Sequence, residues 1–192
     1  MAEPTVLIVG GPNGAGKTTL AAPYAEQKDL PYLAADRIAK ERNPDHPYAA
    51  RMAAGRQFLR RLNTFIEART SFVLESTLAG RGLARYIEQM NEAGYTTRIA
   101  FVVLDSADLC VRRVQERVRK GGHFVPEEDV RRRYTRSKEN FWTLYRPKVD
   151  RWILFRNTGQ SFQRVAEGEG STRSVLRRSG YDKFFRDLSL SP

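Results

Sequence analysis

A single cysteine, Cys110, occurs among the 192 residues, so no internal disulfide can form. Its apolar neighbours Leu109 and Val111 mark it as a small buried hydrophobe rather than a nucleophile. No apolar run approaches the roughly 18 residues that a bilayer crossing requires, and no membrane partner is expected. The opening stretch MAEPTVLIVGG has no basic region ahead of its apolar run, so it does not read as a secretory signal, and the cytoplasm is the expected compartment. There is no internal repeat and no low-complexity linker, and the length suits one domain over 1–192 rather than two. Acidic residues are scarce beside basic ones, 22 against 33, leaving a net charge of +11. That excess points to a polyanion: nucleic acid, an acidic surface or a polyanionic small substrate.

Five short β-rich runs stand out: 5–9, 31–35, 71–75, 96–104 and 151–155. Helical patterns lie between them, notably over 47–69, 81–93 and 106–120. Strands alternating with helices predict a parallel α/β sheet whose function sits at the carboxyl ends of its strands. The basic stretch after about residue 170 is weakly patterned and fits either a short docking helix or a partly ordered tail.

Between the first strand and the first helix, Gly11, Gly16, Lys17 and Thr18 satisfy G-x-x-x-x-G-K-[ST]. The loop of Gly11, Pro12, Asn13, Gly14, Ala15, Gly16, Lys17, Thr18 and Thr19 is therefore expected to hold nucleotide phosphates. Its glycines turn backbone N–H groups inward, Lys17 reaches the β and γ phosphates, and the Thr18 hydroxyl is a ligand for Mg²⁺. No N-K-x-D follows a later strand, which argues against a GTPase. The strand-end acids Glu75 and Asp105 lack a second adjacent acid, which argues against a motor or transporter ATPase. A small kinase fits better.

A kinase needs a group to take the acceptor's proton and cations for the moving phosphoryl group. Asp36, following the second strand, is the expected proton acceptor, a role compatible with capping the helix that begins there. Glu75, Ser76 and Thr77 close the third strand and suit a polar substrate, with helix capping as the alternative. Residues 110–150 hold twelve Lys and Arg against six Asp and Glu, more than half of the net excess. Within the first helix of that segment, Val111, Val114 and Val118 form the core stripe, while Arg113 and Arg117 share another face. In the second helix Val130, Tyr134, Phe141 and Leu144 form the apolar stripe, with Arg133 beside it and Arg132 and Arg136 farther round. Two basic helices joined at the glycines of GGH read as an arginine-rich lid over about 112–140. Arg117 and Arg133 are the expected catalytic arginines; Arg112, Arg119, Arg131 and Arg136 read as a solvated face, and His123 as structural.

The pieces GPNGAGKTT, AAD with Asp36, ESTLAG, RVRKGGHFVPEEDVRRRYTRSKENF and DRWILFRNTG, in this order over 5 to about 160, resemble the zeta toxin family of phosphate-loop kinases. The resemblance implies a P-loop kinase fold: a five-stranded parallel sheet with helices on both faces and a helical lid. It implies ATP and Mg²⁺ as cosubstrates and phosphorylation of a hydroxyl on a small molecule, which in the characterised toxins is a UDP-linked N-acetylhexosamine. An antitoxin protein is the implied partner. By motif, Lys17 and Thr18 handle phosphate and metal, Asp36 accepts the proton, and Glu75 with Thr77 lies on the substrate side. Arg117 and Arg133, with Arg132 on the substrate side, attend the transferring group, Arg113 attends the nucleotide, and Asn157 with Thr158 lies near the adenine. The chain is shorter on the sugar-binding side than the plasmid toxins. The competing class is a nucleic-acid-binding ATPase or polynucleotide kinase, suggested by the net charge; a nucleotide-dependent interaction protein is a third.

Overall fold

The computed structural model describes residues 3–122, 124–170, 172–186 and 188. His123 and parts of the stretch after 170 therefore lie outside the described residues. The elements run β1 (Thr5–Gly10), α1 (Lys17–Gln27), β2 (Tyr32–Ala34), α2 (Ala35–Arg42), α3 (Arg51–Glu67), β3 (Phe72–Ser76), α4 (Leu83–Glu92), β4 (Thr96–Val103), α5 (Ala107–Arg119) and α6 (Glu127–Asn140). A π turn over Phe141–Tyr145 and a 3-10 turn over Arg146–Lys148 lead into β5 (Arg151–Asn157), β6 (Phe162–Glu169), β7 (Ser174–Val175) and α7 (Arg178–Phe185).

The sheet corrects the expectation of five parallel strands. Among the described residues it has seven, in the order β2-β3-β1-β4-β5-β6-β7. The five expected strands are mutually parallel; β6 adds antiparallel to β5, and β7 in turn antiparallel to β6. β6 escaped the sequence reading because Arg164, Glu167 and Glu169 interrupt it; only Val165 and Ala166 are buried there. The fold is thus an α/β P-loop kinase-like fold with a mixed sheet.

Alternation along the strands divides the core between two faces. Val6, Ile8, Phe72, Leu74, Ile99, Phe101 and Leu154 join residues of α2 through α7 in one large cluster. Val9, Val73 and Val102 meet Ala21 and Ala25 of α1 in a small one. The helices are therefore divided unequally, with α1 alone contributing to the second cluster.

Local signals explain the lid-region helices. The Ser106 hydroxyl accepts from the Leu109 N–H at 3.2 Å and caps α5. Glu127, Glu128 and Asp129 occupy the first turn of α6, where the helix dipole favours negative charge. The π turn after α6 buries Phe141, Trp142 and Tyr145. There α7 docks with Tyr181, Phe184 and Phe185 buried; Phe141 stacks on Phe101 at 4.3 Å between ring centroids, and Trp142 meets Phe185 at 4.8 Å. Of the two readings of the tail, the docking helix is the one found for 178–185. Lys138, counted by sequence among the lid cations, is fully buried in this aromatic cluster, its Nζ 4.7 Å from the Tyr134 ring centroid and 5.4 Å from that of Phe184. It is a core residue.

Candidate nucleotide and acceptor site

The phosphate loop leaves β1 at the sheet's carboxyl edge. Gly11 has φ +142°, and a Cβ there would lie 2.1 Å from the Val102 carbonyl oxygen; Gly16, at φ +96°, caps α1. Both positions are closed to other residues, the first by backbone contact and the second by conformation. Lys17 opens α1 and is buried, its Nζ donating to the Pro12 carbonyl at 3.1 Å.

Strand pairing brings an acid to this loop. β1 and β3 align Val9 with Glu75, and the Glu75 carboxylate accepts from the Thr18 hydroxyl at 2.9 Å and from the Tyr32 hydroxyl. Lys17 Nζ lies 3.9 Å from its other oxygen. Burial, and then the charge of Glu75, hold the Tyr32 phenol far above its ordinary range, so Tyr32 remains a donor. Asp105, the other strand-end acid, turns away: Arg156 grips it with two nitrogens and Lys183 approaches to 3.7 Å. The Arg156 hydrogen bonds hold its carboxyl below the usual range. Cys110 is buried, which pushes its thiol up to about 12, as expected of a core residue.

On one side of Lys17 lies a cavity of about 680 Å³ lined by the loop residues Asn13, Gly14, Gly16, Thr18 and Thr19, by Arg113 and Arg117 of α5, and by Asn157 and the turn 159–162. Both ends of the Asn157 side-chain amide are engaged. Its amide donates to the Ala15 carbonyl at 2.8 Å and its oxygen accepts from the Gly159 N–H at 2.8 Å. It braces the phosphate loop, while Gln160, Ser161 and Phe162 form the outer wall, which no sequence motif marked. A Cβ on Gly159 would lie 3.2 Å from an Arg113 nitrogen, so Arg113 spans from the loop to this turn. Thr158 closes the turn through Ser161.

Asp36, in the first turn of α2, borders this cavity and two others. One, of about 450 Å³, is lined by Lys17, Asp36, Phe58, Glu75, Thr77, Arg132, Arg133 and Arg136. The other, of about 970 Å³, runs past Tyr32, Lys40 and the 44–49 segment to Arg117 and Phe124. Arg133 Nη1 donates to the Asn13 side-chain oxygen at 3.3 Å, and its Nη2 pairs with Asp129 at 3.3 Å. Arg132 also pairs with Asp129 and is half exposed. Arg117 packs against Gly122, where a Cβ would lie 2.4 Å from its Cγ. Thr77 accepts from the Ala79 N–H at 3.4 Å, Leu78 takes φ +56°, and Asn140 donates to the Leu78 and Ala79 carbonyls at 3.0 and 3.1 Å.

The sequence-nominated residues thus collect around three adjoining cavities that share Asp36 and Glu75. Arg136, assigned by sequence to a solvated face, lines the second of them. Tyr32, Lys40 and Phe162 were not nominated at all. Among the described residues no cluster of three or more His, Cys, Asp or Glu stands ready for a metal. The hydroxyl of Thr18 and the carboxylate of Glu75 make an all-oxygen pair beside the phosphate loop. That pair fits Mg²⁺, which takes one or two protein ligands and completes its shell with phosphate oxygens and water.

A family model described as an AAA domain matches residues 6–139. An uncharacterised protein of Haemophilus influenzae is 30% identical over 124 residues, 65% of this chain and 88% of that protein. Among solved structures, a chain of the AvrRxo1-ORF1:AvrRxo1-ORF2 complex with ATP matches 100% of this chain at TM-score 0.75 and 17% identity. The match spans 66% of that chain. A chain of the PezAT chromosomal toxin-antitoxin system of Streptococcus pneumoniae gives 0.64 at 14% identity, over 83% of this chain and 71% of that one. A candidate kinase from Chloroflexus aurantiacus gives 0.57 at 21%, over 71% and 80%. At these identities the likeness to the solved structures is one of fold.

Proposed function

The chain belongs to the AAA-domain family, and from that premise we propose that it is an ATP-dependent kinase that phosphorylates a hydroxyl on a small molecule. The observation that carries the reading is the shared border: Asp36 and Glu75 line both the cavity bounded by the phosphate loop and the two that open away from it. ATP would lie along the first cavity, its phosphates over the loop amides and Lys17 and its base toward Arg113 and the 159–162 turn. Thr18 and Glu75 would hold Mg²⁺, which when bound supplies charge neutralisation at the phosphates.

The acceptor would enter from the other side with its hydroxyl on Asp36. That oxygen forms a bond to the γ phosphorus as the bond from phosphorus to the β–γ bridging oxygen breaks. The hydroxyl proton passes to Asp36, and ADP departs with the bridging electrons. Arg133, tied to the loop through Asn13, and Arg117 from α5 would meet the charge on the three transferring oxygens. The motif resemblance extends the reading to a zeta toxin-like kinase of a toxin-antitoxin system in the cytoplasm, with a UDP-N-acetylhexosamine as acceptor and an antitoxin as partner.

The test is to incubate the protein with Mg-ATP and a panel of nucleotide sugars, sugars and oligonucleotides, and to look by mass spectrometry for added phosphate. Transfer to a small molecule is expected from the wild-type chain. Asp36→Asn should lose about 10²- to 10⁴-fold in transfer, the usual worth of a positioned base, with ATP binding retained. Labelled oligonucleotide with unchanged small molecules would overturn the reading.

A further inference from the structure

The two faces of the sheet are covered unequally. On one face Ile99, Phe101, Trp152 and Leu154 are at most 1% exposed, packed with residues of α2 through α7. On the other, α1 is the one helix among the described residues that contributes to the buried cluster, and it packs over β1, β2 and β3. Beyond α1 the strands β4 and β5 present Ala100, Ile153 and Phe155 to this face, and Ile153 and Phe155 stay only half-buried. Connectivity is the cause. A parallel return to the sheet would need a crossover, commonly a helix, whereas β5 turns directly into the antiparallel β6 through residues 158–161. A groove of about 610 Å³ follows the uncovered face, lined by Leu20 and Tyr24 of α1, by Ala100 and Ile153, and by Glu167 and Arg173 on the far side.

Strand register sorts this face into rows. One row runs Val9, Ala100, Ile153, Glu167; the next runs Leu7, Arg98, Arg151, Glu169. Both glutamates are already matched, Glu169 by Arg151 at 3.0 Å and Glu167 by Arg164. Arg98 stands beside Arg151 with Leu7 on its other side, so two like charges lie on adjacent strands with one acid between them for balance. With Arg173, four arginines and two glutamates surround an apolar trough.

Parallel strands are ordinarily covered by helices on both faces, and the complement of this face is a helix with acid along its flanks. We propose that the face docks an amphipathic helix of a partner protein, its apolar stripe lying along Ala100, Ile153 and Phe155 and its Asp or Glu side chains directed to Arg98 and Arg173. A second copy of this chain would bring the same arginine excess to the contact, and like charges set against each other oppose association. Arg98, Ala100 and Ile153 line none of the three cavities around Asp36, so the inference does not depend on the kinase reading.

The test uses the full chain and synthetic helical peptides of about 18 residues, whose length of about 27 Å matches the rise of the eight-residue β4. One peptide has a Leu and Ile stripe flanked by Glu, the second has the same stripe flanked by Lys, and the third scrambles the acidic sequence so that no stripe forms. By fluorescence anisotropy the Glu-flanked peptide should bind at least about 10-fold more tightly than either of the others. Arg98→Glu, an exposed change, should weaken that binding by about 10-fold or more, and Arg98→Glu combined with Arg173→Glu should turn the preference toward the Lys-flanked peptide. Arg112→Glu, the same charge change on the exposed side of α5, should leave binding as it is. Ile153→Glu should abolish binding, with circular dichroism checking that this variant folds. The proposal is overturned by absent binding, by equal binding of any two of the peptides, or by equal effects of Arg98→Glu and Arg112→Glu. Sedimentation equilibrium supplies the last outcome: a wild-type dimer that Arg98→Glu dissociates would give the face to a second copy and overturn the partner helix.

Discussion

The Glu75 carboxylate accepts a hydrogen bond from the Thr18 hydroxyl at 2.9 Å across 57 residues of sequence. The link exists because β3 lies beside β1 in a register that sets Glu75 against Val9, one residue before the chain turns into the phosphate loop. Tyr32, from the next strand outward, reaches the same oxygen. A strand and a helix thus converge on one carboxylate: β2 brings Tyr32 and the start of α1 brings Thr18, while strand pairing of β3 with β1 sets Glu75 itself.

Replacing Glu75 with Gln keeps the shape and removes the charge. The Thr18 and Tyr32 hydroxyls retain an acceptor, so the fold should persist. A neutral amide is a far poorer Mg²⁺ ligand, and the Mg²⁺-dependent part of ATP-analogue affinity should fall about 10- to 100-fold. Calorimetry with and without Mg²⁺ separates this from a general loss: equal weakening in both conditions would assign Glu75 to loop structure alone.

Arg133 and Arg131 make a matched pair two residues apart on α6. Arg133 reaches Asn13 of the phosphate loop, whereas Arg131 is spent on the exposed acids Asp108 and Glu127. Arg133→Ala is expected to slow phosphoryl transfer by about 10³-fold or more, the range for arginines that meet the transferring group, with only a few-fold change in KM for ATP. Arg131→Ala removes solvent-exposed pairs of small worth and should transfer at nearly the wild-type rate. Comparable losses in both would mean that α6 acts through its overall charge.

Asn157 sits under the loop with both ends of its amide engaged. Asn157→Ala leaves the Ala15 carbonyl and the Gly159 N–H without these partners, at about 1–3 kcal/mol for a buried unmet group. Asn157→Asp should be worse, since a carboxylate would then face the Ala15 carbonyl oxygen. Thermal melts of the two variants check the order, and both should bind ATP more weakly because the loop loses its brace. A variant with unchanged stability and altered nucleotide preference would instead return Asn157 to the adenine contact expected from sequence.

The five parallel strands were legible because buried strands of this kind are short β-rich runs, and their order along the chain set the phosphate loop at a strand end. β6 was not, since an antiparallel edge with one solvated face carries Arg164, Glu167 and Glu169 through its length. Glu75 and Asp105 look alike in sequence; register puts one beside Thr18, and the Arg156 side chain claims the other. Lys138 and Arg136 came out differently. Charge counting assigns Lys138 to the surface, although aromatic rings from α6 and α7 enclose it. Helical periodicity turns Arg136 toward solvent, and its side chain is indeed exposed while it borders the cavity beyond β3. The enclosure of Lys138 comes from a neighbouring element, which no periodicity within one helix records.

The link from α6 to the acceptor side also has a pH signature. Tyr145, in the π turn, donates its hydroxyl to the Gly80 carbonyl, and burial pushes its phenol up to about 12. Burial raises the phenols of Tyr95 and Tyr32 as well. An unfolded chain releases these protons near the ordinary value of about 10, whereas the fold retains them. Between about pH 10 and 12 the folded state therefore binds more protons than the unfolded one, and stability must fall as pH rises. The contribution is complete below pH 10 and is lost as pH climbs through the folded values. Urea unfolding from pH 9 to 11.5 should show this decline. In Tyr145→Phe the slope should be shallower by the share of one group, even though the variant starts from lower stability because the Gly80 hydrogen bond is gone. An unchanged slope would mean that Tyr145 ionises as freely in the fold as in the unfolded chain, and that its hydroxyl does not hold the 78–80 segment in solution.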